Sequence, residues 1–192
     1  MGKGRLETFS DGVLAIIITI MVLELKVPEG DDLNSLKSLF PVFASYFLSF
    51  VYIGIYWNNH HHMLHAAQHI NGKVMWANMH LLFWLSTVPF ATGWMGEHQF
   101  PRWPVALYGV VLFMAGVAYH ILAQTLVSLH GKNSTLAIAI GKDRKGMISI
   151  IVYFIAILIS FQNPWISLAL YAVVAAMWII PDRRIEKVIG EL

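Results

Sequence analysis

"RLETFSDGVLAIIITIMVLEL", residues 5–25, decides the class of this chain. From Gly12 to Leu23 no charge interrupts the run, and Thr19 is its one hydroxyl. Such a run suits hydrocarbon, yet Arg5, Ser10 and Asp11 stand directly before it, groups that hydrocarbon excludes unless they are paired. The composition extends the same reading to the whole molecule. Of 192 residues, 57% are hydrophobic and only 12% charged, about half the charged share of a soluble domain. The mean hydropathy is +0.62. An integral membrane protein is expected, and its length limits the number of spans, since each takes about 20 apolar residues.

The chain has no cysteine, which excludes disulfides, thiol catalysis and zinc–thiolate sites. A net charge of +2 points to no nucleic-acid partner. Lys3 and Arg5 ahead of an apolar run resemble the start of a signal peptide. The run leads into "ELKVPEGDD" (residues 24–32), with no small-residue cleavage site, so a retained first span is expected. Motifs for nucleophilic hydrolysis, zinc proteolysis and phosphate binding are missing. No enzymatic activity and no cofactor are expected.

Six apolar segments follow one another, over about residues 8–27, 38–59, 74–95, 104–129, 146–161 and 164–180. Open sheet edges cannot face lipid, so the segments read as helices. No Ser/Pro-rich linker divides them, and residues 1–192 form one expected domain. The short "QNP" link predicts that the last two helices form an antiparallel hairpin. Pro89 falls inside the third segment and predicts a kink, with Thr87 or Thr92 answering the freed carbonyl. The bend can be structural or a moving hinge.

Basic residues orient the chain. With a cytoplasmic N-terminus, the inner segments hold Lys3, Arg5, Lys73, Lys132, Lys142, Arg144, Lys145, Arg183, Arg184 and Lys187. The outer ones hold only Lys26, Lys37 and Arg102. Ten of the 13 basic residues lie inside, which places both termini in the cytoplasm of a cell-membrane protein. An even number of spans requires the same. Trp57, Trp76, Trp94, Trp103 and Trp165 lie near span ends, where indole rings prefer the interface.

At about 100° per residue, Gly12, Ile16, Thr19, Ile20 and Leu23 fall within roughly 60° of one direction. Asp11 and Ser10 fall well away on either side. One reading buries Arg5, Ser10 and Asp11 in a network with Trp57, His60 or Asn78 of the next two segments, fixing how the first helix docks. The other makes Ser10 or Asp11 a helix cap. Thr19 has a plain reading too, a hydroxyl bonded to the carbonyl one turn back. Glu24, about 80° off the stripe, reads as an interfacial anchor or as a concentrator of cations. His61, His65 and His69 recur every four residues, with His60 and His62 beside them. No carboxylate lies near in sequence, so a polar or titrating cluster is expected rather than a metal site.

The R-x-x-x-F-S-D pattern of Arg5, Phe9, Ser10 and Asp11, with the helix after it, resembles the transmembrane protein 175 family of potassium channels. "WNNHHHM" (Trp57, His60), "WANMHLLF" (Asn78) and "STVPFATGW" (Pro89) are similar to later family motifs. A single signature looks like the prokaryotic form. The resemblance implies an all-α integral membrane fold of six helices per protomer and a homotetramer in the bilayer. Its pore is lined by the first helix of each subunit. It implies Ile16 at an apolar constriction, Ile20 and Leu23 as further apolar rings, and Thr19 at the hydroxyl linked to potassium preference. Arg5, Ser10, Asp11, Trp57, His60 and Asn78 become the structural polar network. No T-V-G-Y-G filter occurs, so a carbonyl-ring filter is not available. A moderately selective, leak-type channel for potassium, rubidium and caesium is expected, with the permeant ion as its only metal. The competing reading is a proton-coupled secondary transporter using Asp11 and the histidines, although the chain shows no internal repeat.

Overall fold

The computed structural model describes residues 2–131, 133–140 and 143–179. Lys132, Lys142, Arg183, Arg184 and Lys187, which helped orient the chain, lie outside the described residues, as does the last residue of the sixth apolar segment. All regular structure among the described residues is helical.

α1 (Lys3–Leu23) and α3 (Phe40–Ala66) match the first two apolar segments, and the six-residue α2 (Leu33–Ser38) lies between them. α3 runs through the histidines that close its apolar stretch, because Asn and His carry only a small helix penalty there. The third segment is two helices, α4 (Gly72–Ser86) and α5 (Val88–Glu97), rather than one kinked helix. Pro89 sits in the first turn of α5, where its missing N–H breaks no ladder bond. Thr87 bridges the break: its amide donates to the Trp84 and Leu85 carbonyls, and its hydroxyl to Trp84 O at 2.7 Å. The Thr92 hydroxyl donates to Val88 O, also at 2.7 Å.

α6 (Arg102–His130) is the central post, packed by α4, α5, α8 (Arg144–Ser160) and α9 (Pro164–Ile179). The short α7 (Thr135–Ile140) links α6 to α8. Small residues on α6, among them Ala106, Gly109, Ala115 and Ala118, are buried, and small side chains let helix backbones approach where lipid supplies no hydrophobic drive. At Gly109 an added methyl would collide with the Tyr171 hydroxyl and with Ile157. α8 and α9 form the expected antiparallel hairpin. Ser167 Oγ donates to Ala156 O at 2.7 Å near the link, and Trp178 Nε1 to Ser149 Oγ at 2.8 Å at the far end.

Among the described residues the interior side-chain polar groups are paired, as burial requires, except His120 Nδ1, which makes no hydrogen bond and lies 3.5 Å from Asp143 Oδ2. Tyr52 Oη donates to Tyr171 O at 2.6 Å and Tyr171 Oη to Val105 O at 3.2 Å, which joins α3, α9 and α6. Ser49 Oγ lies 2.7 Å from Thr92 Oγ1 and 2.9 Å from Tyr108 Oη. Because Thr92 spends its proton on Val88 O, Ser49 donates to Thr92 and Tyr108 donates to Ser49. By length and composition α1, α3 and α6 can each cross a membrane, and α9 is a shorter apolar helix.

Candidate functional site

α1 has two faces. Leu6, Ser10, Leu14, Ile17 and Met21 are buried, spaced by three or four residues as one side of a helix requires, against α3, α4 and α5. The opposite side is free. Ile16 is 59% exposed, Ile20 43% and Leu23 77%, and Gly12 and Thr19 are exposed between them. The stripe read from the sequence is therefore the face of α1 that no other described helix of the chain covers. Thr19 Oγ1 donates to Ala15 O at 2.9 Å. This bond spends the hydroxyl proton within the helix and leaves the oxygen lone pairs on the free face. Ala15 was not singled out in the sequence, where only its place one turn before Thr19 marks it.

Behind the stripe, three buried residues on three helices form a directed chain. Ser10 Oγ donates to Leu6 O at 2.8 Å. Asn78 Nδ2, on α4, donates to Ser10 Oγ at 2.9 Å. Asn78 Oδ1 is left to accept from His60 Nε2, on α3, at 2.7 Å. Ser10 and Asn78 have no exposed surface, and His60 has 2%. Beside this chain, Trp57 Nε1 donates to Asp11 Oδ1 at 3.0 Å, a second tie between α1 and α3. Ser10 and Asp11 do not cap α1, since the N-cap is Gly2. Arg5 is exposed, and its side chain joins neither tie. Lys3 takes the docking part instead. Its Nζ donates to His65 O at 3.0 Å and lies 3.8 Å from Glu7 Oε1.

The histidine run divides. His60 is structural. His61 stacks between Trp57 and His65, with ring centroids 6.0 and 6.1 Å away, and His62 meets it edge-on. His69 lies beyond α3, with its ring 4.5 Å from that of His130. No group of three or more His or acidic side chains converges as a metal set among the described residues. At the other end of α1, Glu24 opens on a cleft of about 330 Å³ with Phe90, Trp94 and Glu97. Lys26 Nζ bonds Glu97 Oε1 at 2.8 Å. That hydrogen bond, aided by the ammonium charge, holds the Glu97 carboxyl below its ordinary value.

Helices of bilayer length, buried hydroxyls closed on one another, and one apolar helix with a free face define a helical membrane protein. The family model described as endosomal/lysosomal potassium channel TMEM175 matches residues 5–89. A potassium channel of Chryseobacterium sp. (strain P1-3) is 54% identical over 191 residues, covering 100% of each chain. The chain belongs to the TMEM175 family. Its fold superposes with a TM-score of 0.81 on the crystal structure of a lysosomal potassium-selective channel TMEM175 homolog from Chamaesiphon minutus. That pair is 29% identical, over 93% of this chain and 96% of the other. The human endosomal/lysosomal proton channel TMEM175 is 28% identical over 149 residues, 68% of this chain and 29% of the human one.

Proposed function

We propose that this chain is a potassium channel of the cell membrane, a homotetramer with α1 of each subunit around a central pore. Six membrane-crossing units then make up each protomer: α1, α3, the broken α4–α5, α6, α8 and α9. Both termini face the cytoplasm. The observation that carries this reading is the free face of α1, an exposed stripe of Gly12, Ile16, Thr19, Ile20 and Leu23 on a helix whose other side is locked down. The name of the Chryseobacterium relative supports the permeant ion.

Four Ile16 side chains around an axis would exclude water from a narrow ring, a gate by dewetting. Small rotations of α1 widen such a ring. A partly hydrated ion would then meet four Thr19 oxygens, whose lone pairs the bond to Ala15 O leaves free. Potassium gives up hydration water more readily than sodium, so a ring of weak ligands favours it moderately. The Ser10–Asn78–His60 chain and the Trp57–Asp11 bond fix the azimuth of α1 and so keep the stripe turned outward.

The test is ion flux into liposomes holding the purified chain, with potassium, rubidium, caesium and sodium compared beside an oligomer mass measurement. Downhill, unsaturated flux that favours potassium, from a tetramer, is the expected result. A monomer, or flux with a fixed proton stoichiometry, would overturn the reading in favour of a proton-coupled carrier. Proton conductance is measured in the same preparation, since the human relative is named a proton channel.

A further inference from the structure

α6 ends at His130, and Gly131 reverses the chain with φ +89°. The turn between α3 and α4 lies against this end. His130 Nε2 is 3.0 Å from the Gln68 amide nitrogen and 3.3 Å from that of His69. Its Nδ1 is 2.9 Å from Leu126 O. The partners settle the proton. A carbonyl can only accept, so Nδ1 carries the hydrogen. Two backbone N–H groups can only donate, so Nε2 is bare. The neutral Nδ1–H ring makes all three bonds. An imidazolium carries N–H on both nitrogens and keeps only the bond to Leu126. Its Nε2–H would face two other N–H groups.

The ionisable groups on the elements that meet here are few. The turn brings the His69 imidazole, with its centroid 4.5 Å away. The last turn of α3 brings His65, and the first turn of α4 brings Lys73. The start of α1 brings Lys3, Arg5 and Glu7, and α7 brings none. Apart from Glu7, which lies 3.8 Å from Lys3, these groups are cationic or become so on protonation. The turn adjoins the first helix. Lys3 Nζ donates to His65 O, two residues before the turn begins at Ala67.

We propose that His130 is a proton-operated latch, in which the neutral ring holds the 67–71 turn against α6 and protonation releases it, loosening the anchor of the first turn of α1. The latch is closed while Nε2 is bare and opens when that nitrogen takes up a proton, so acid favours the open form. Its effect on conduction rests on the potassium-channel reading above; the local release does not.

Hydrogen exchange on the full chain in nanodiscs, at about pH 8 and about pH 5.5, reads the latch directly. After correction for intrinsic exchange, the Gln68 and His69 amides should lose roughly tenfold protection at the lower pH, the scale of losing two hydrogen bonds. His130→Gln, whose carbonyl oxygen accepts without titrating, should keep protection at both pH values. His130→Phe should lack it at both. Equal corrected protection of the parent chain at the two pH values overturns the latch, even if a variant fails to fold. Potassium flux is measured alongside. The parent should leak roughly two- to fivefold faster at the lower pH, the size of a modest population shift, and His130→Gln should not. An unchanged acid response in His130→Gln overturns the coupling to α1. If no preparation passes potassium, the channel reading fails, and exchange still decides the latch.

Discussion

The side-chain amide of Asn78 stands between two helices, giving its N–H to Ser10 Oγ at 2.9 Å and receiving His60 Nε2 at 2.7 Å. Asn78 is the only one of the three with both functions engaged across helices. Asn78→Ala should therefore cost more than Ser10→Ala, because it removes two inter-helix hydrogen bonds where Ser10→Ala removes one. A buried polar group stranded in this way is worth about 1–3 kcal/mol. Thermal unfolding in one detergent should rank parent, Ser10→Ala and Asn78→Ala in that order of decreasing stability. Equal losses would mean that the chain is not a unit.

Ile16→Asn replaces a branched apolar side chain with one that holds water. In the proposed pore this should raise cation flux on the order of tenfold, equivalent to about 1.4 kcal/mol off the barrier. Stability should change little, since Ile16 is 59% exposed in the protomer. Liposome flux with a check of oligomer size tests it, and unchanged flux in an intact assembly would remove Ile16 from the gate.

Thr19→Ala removes the oxygen on the free face together with its bond to Ala15 O. The potassium-to-sodium permeability ratio should fall several-fold, about 1 kcal/mol of discrimination, while total conductance persists. Bi-ionic measurements decide the point. An unaltered ratio would leave selectivity to another element of the chain.

Two glycines separate packing from permeation. A methyl added at Gly96 meets the Ser45 hydroxyl and the α3 backbone, 2.9 Å from Val42 Cα and 3.3 Å from Pro41 O. Backbone cannot step aside, so Gly96→Ala should destabilise by about 1–3 kcal/mol. At Gly12 nothing lies within 4 Å of the added carbon. Gly12→Ala should leave unfolding unchanged or raise it by up to about 1 kcal/mol through helix propensity.

The Lys26–Glu97 bond ties the end of α1 to the end of α5 and carries a pH signature. Its carboxyl is held low in the fold, so the stabilisation is complete above the ordinary carboxylate range and disappears as pH falls through the lowered value. The stability contributed by this pair should thus be constant between about pH 5 and pH 8. A small loss, absent from Glu97→Gln, should appear only below about pH 4. Both groups are solvent-exposed, so solvent screening keeps the effect small.

Legibility followed how many periods each feature repeats. α1, α3 and α6 were plain from uninterrupted apolar runs. α2 and α7 were not, because six residues hold under two helical turns, too few for a pattern. Pro89 announced a disturbance, but that the helix restarts at Val88 depends on Thr87 bonding backward to Trp84 and Leu85, a backbone choice no composition records. The docking residues of α1 were partly foreseen. Ser10, Asn78 and His60 do converge, and Asp11 does meet Trp57. Arg5 and Lys3 are both basic residues before the same helix, and only their azimuths decide that Lys3 reaches α3 while Arg5 does not. His130 carried no sequence signal at all: its partners are main-chain amides some sixty positions away.

The two-sided first helix also forecasts how this molecule can vary. Changes along Leu6, Ser10, Leu14, Ile17 and Met21 should be read out as yield and melting behaviour. Changes at the intervening Gly12, Ile16, Thr19, Ile20 and Leu23 should leave the folded product abundant and alter only what crosses the bilayer. A saturation scan of this one segment, scored separately for abundance and for current, should thus resolve into two interleaved registers three to four residues apart.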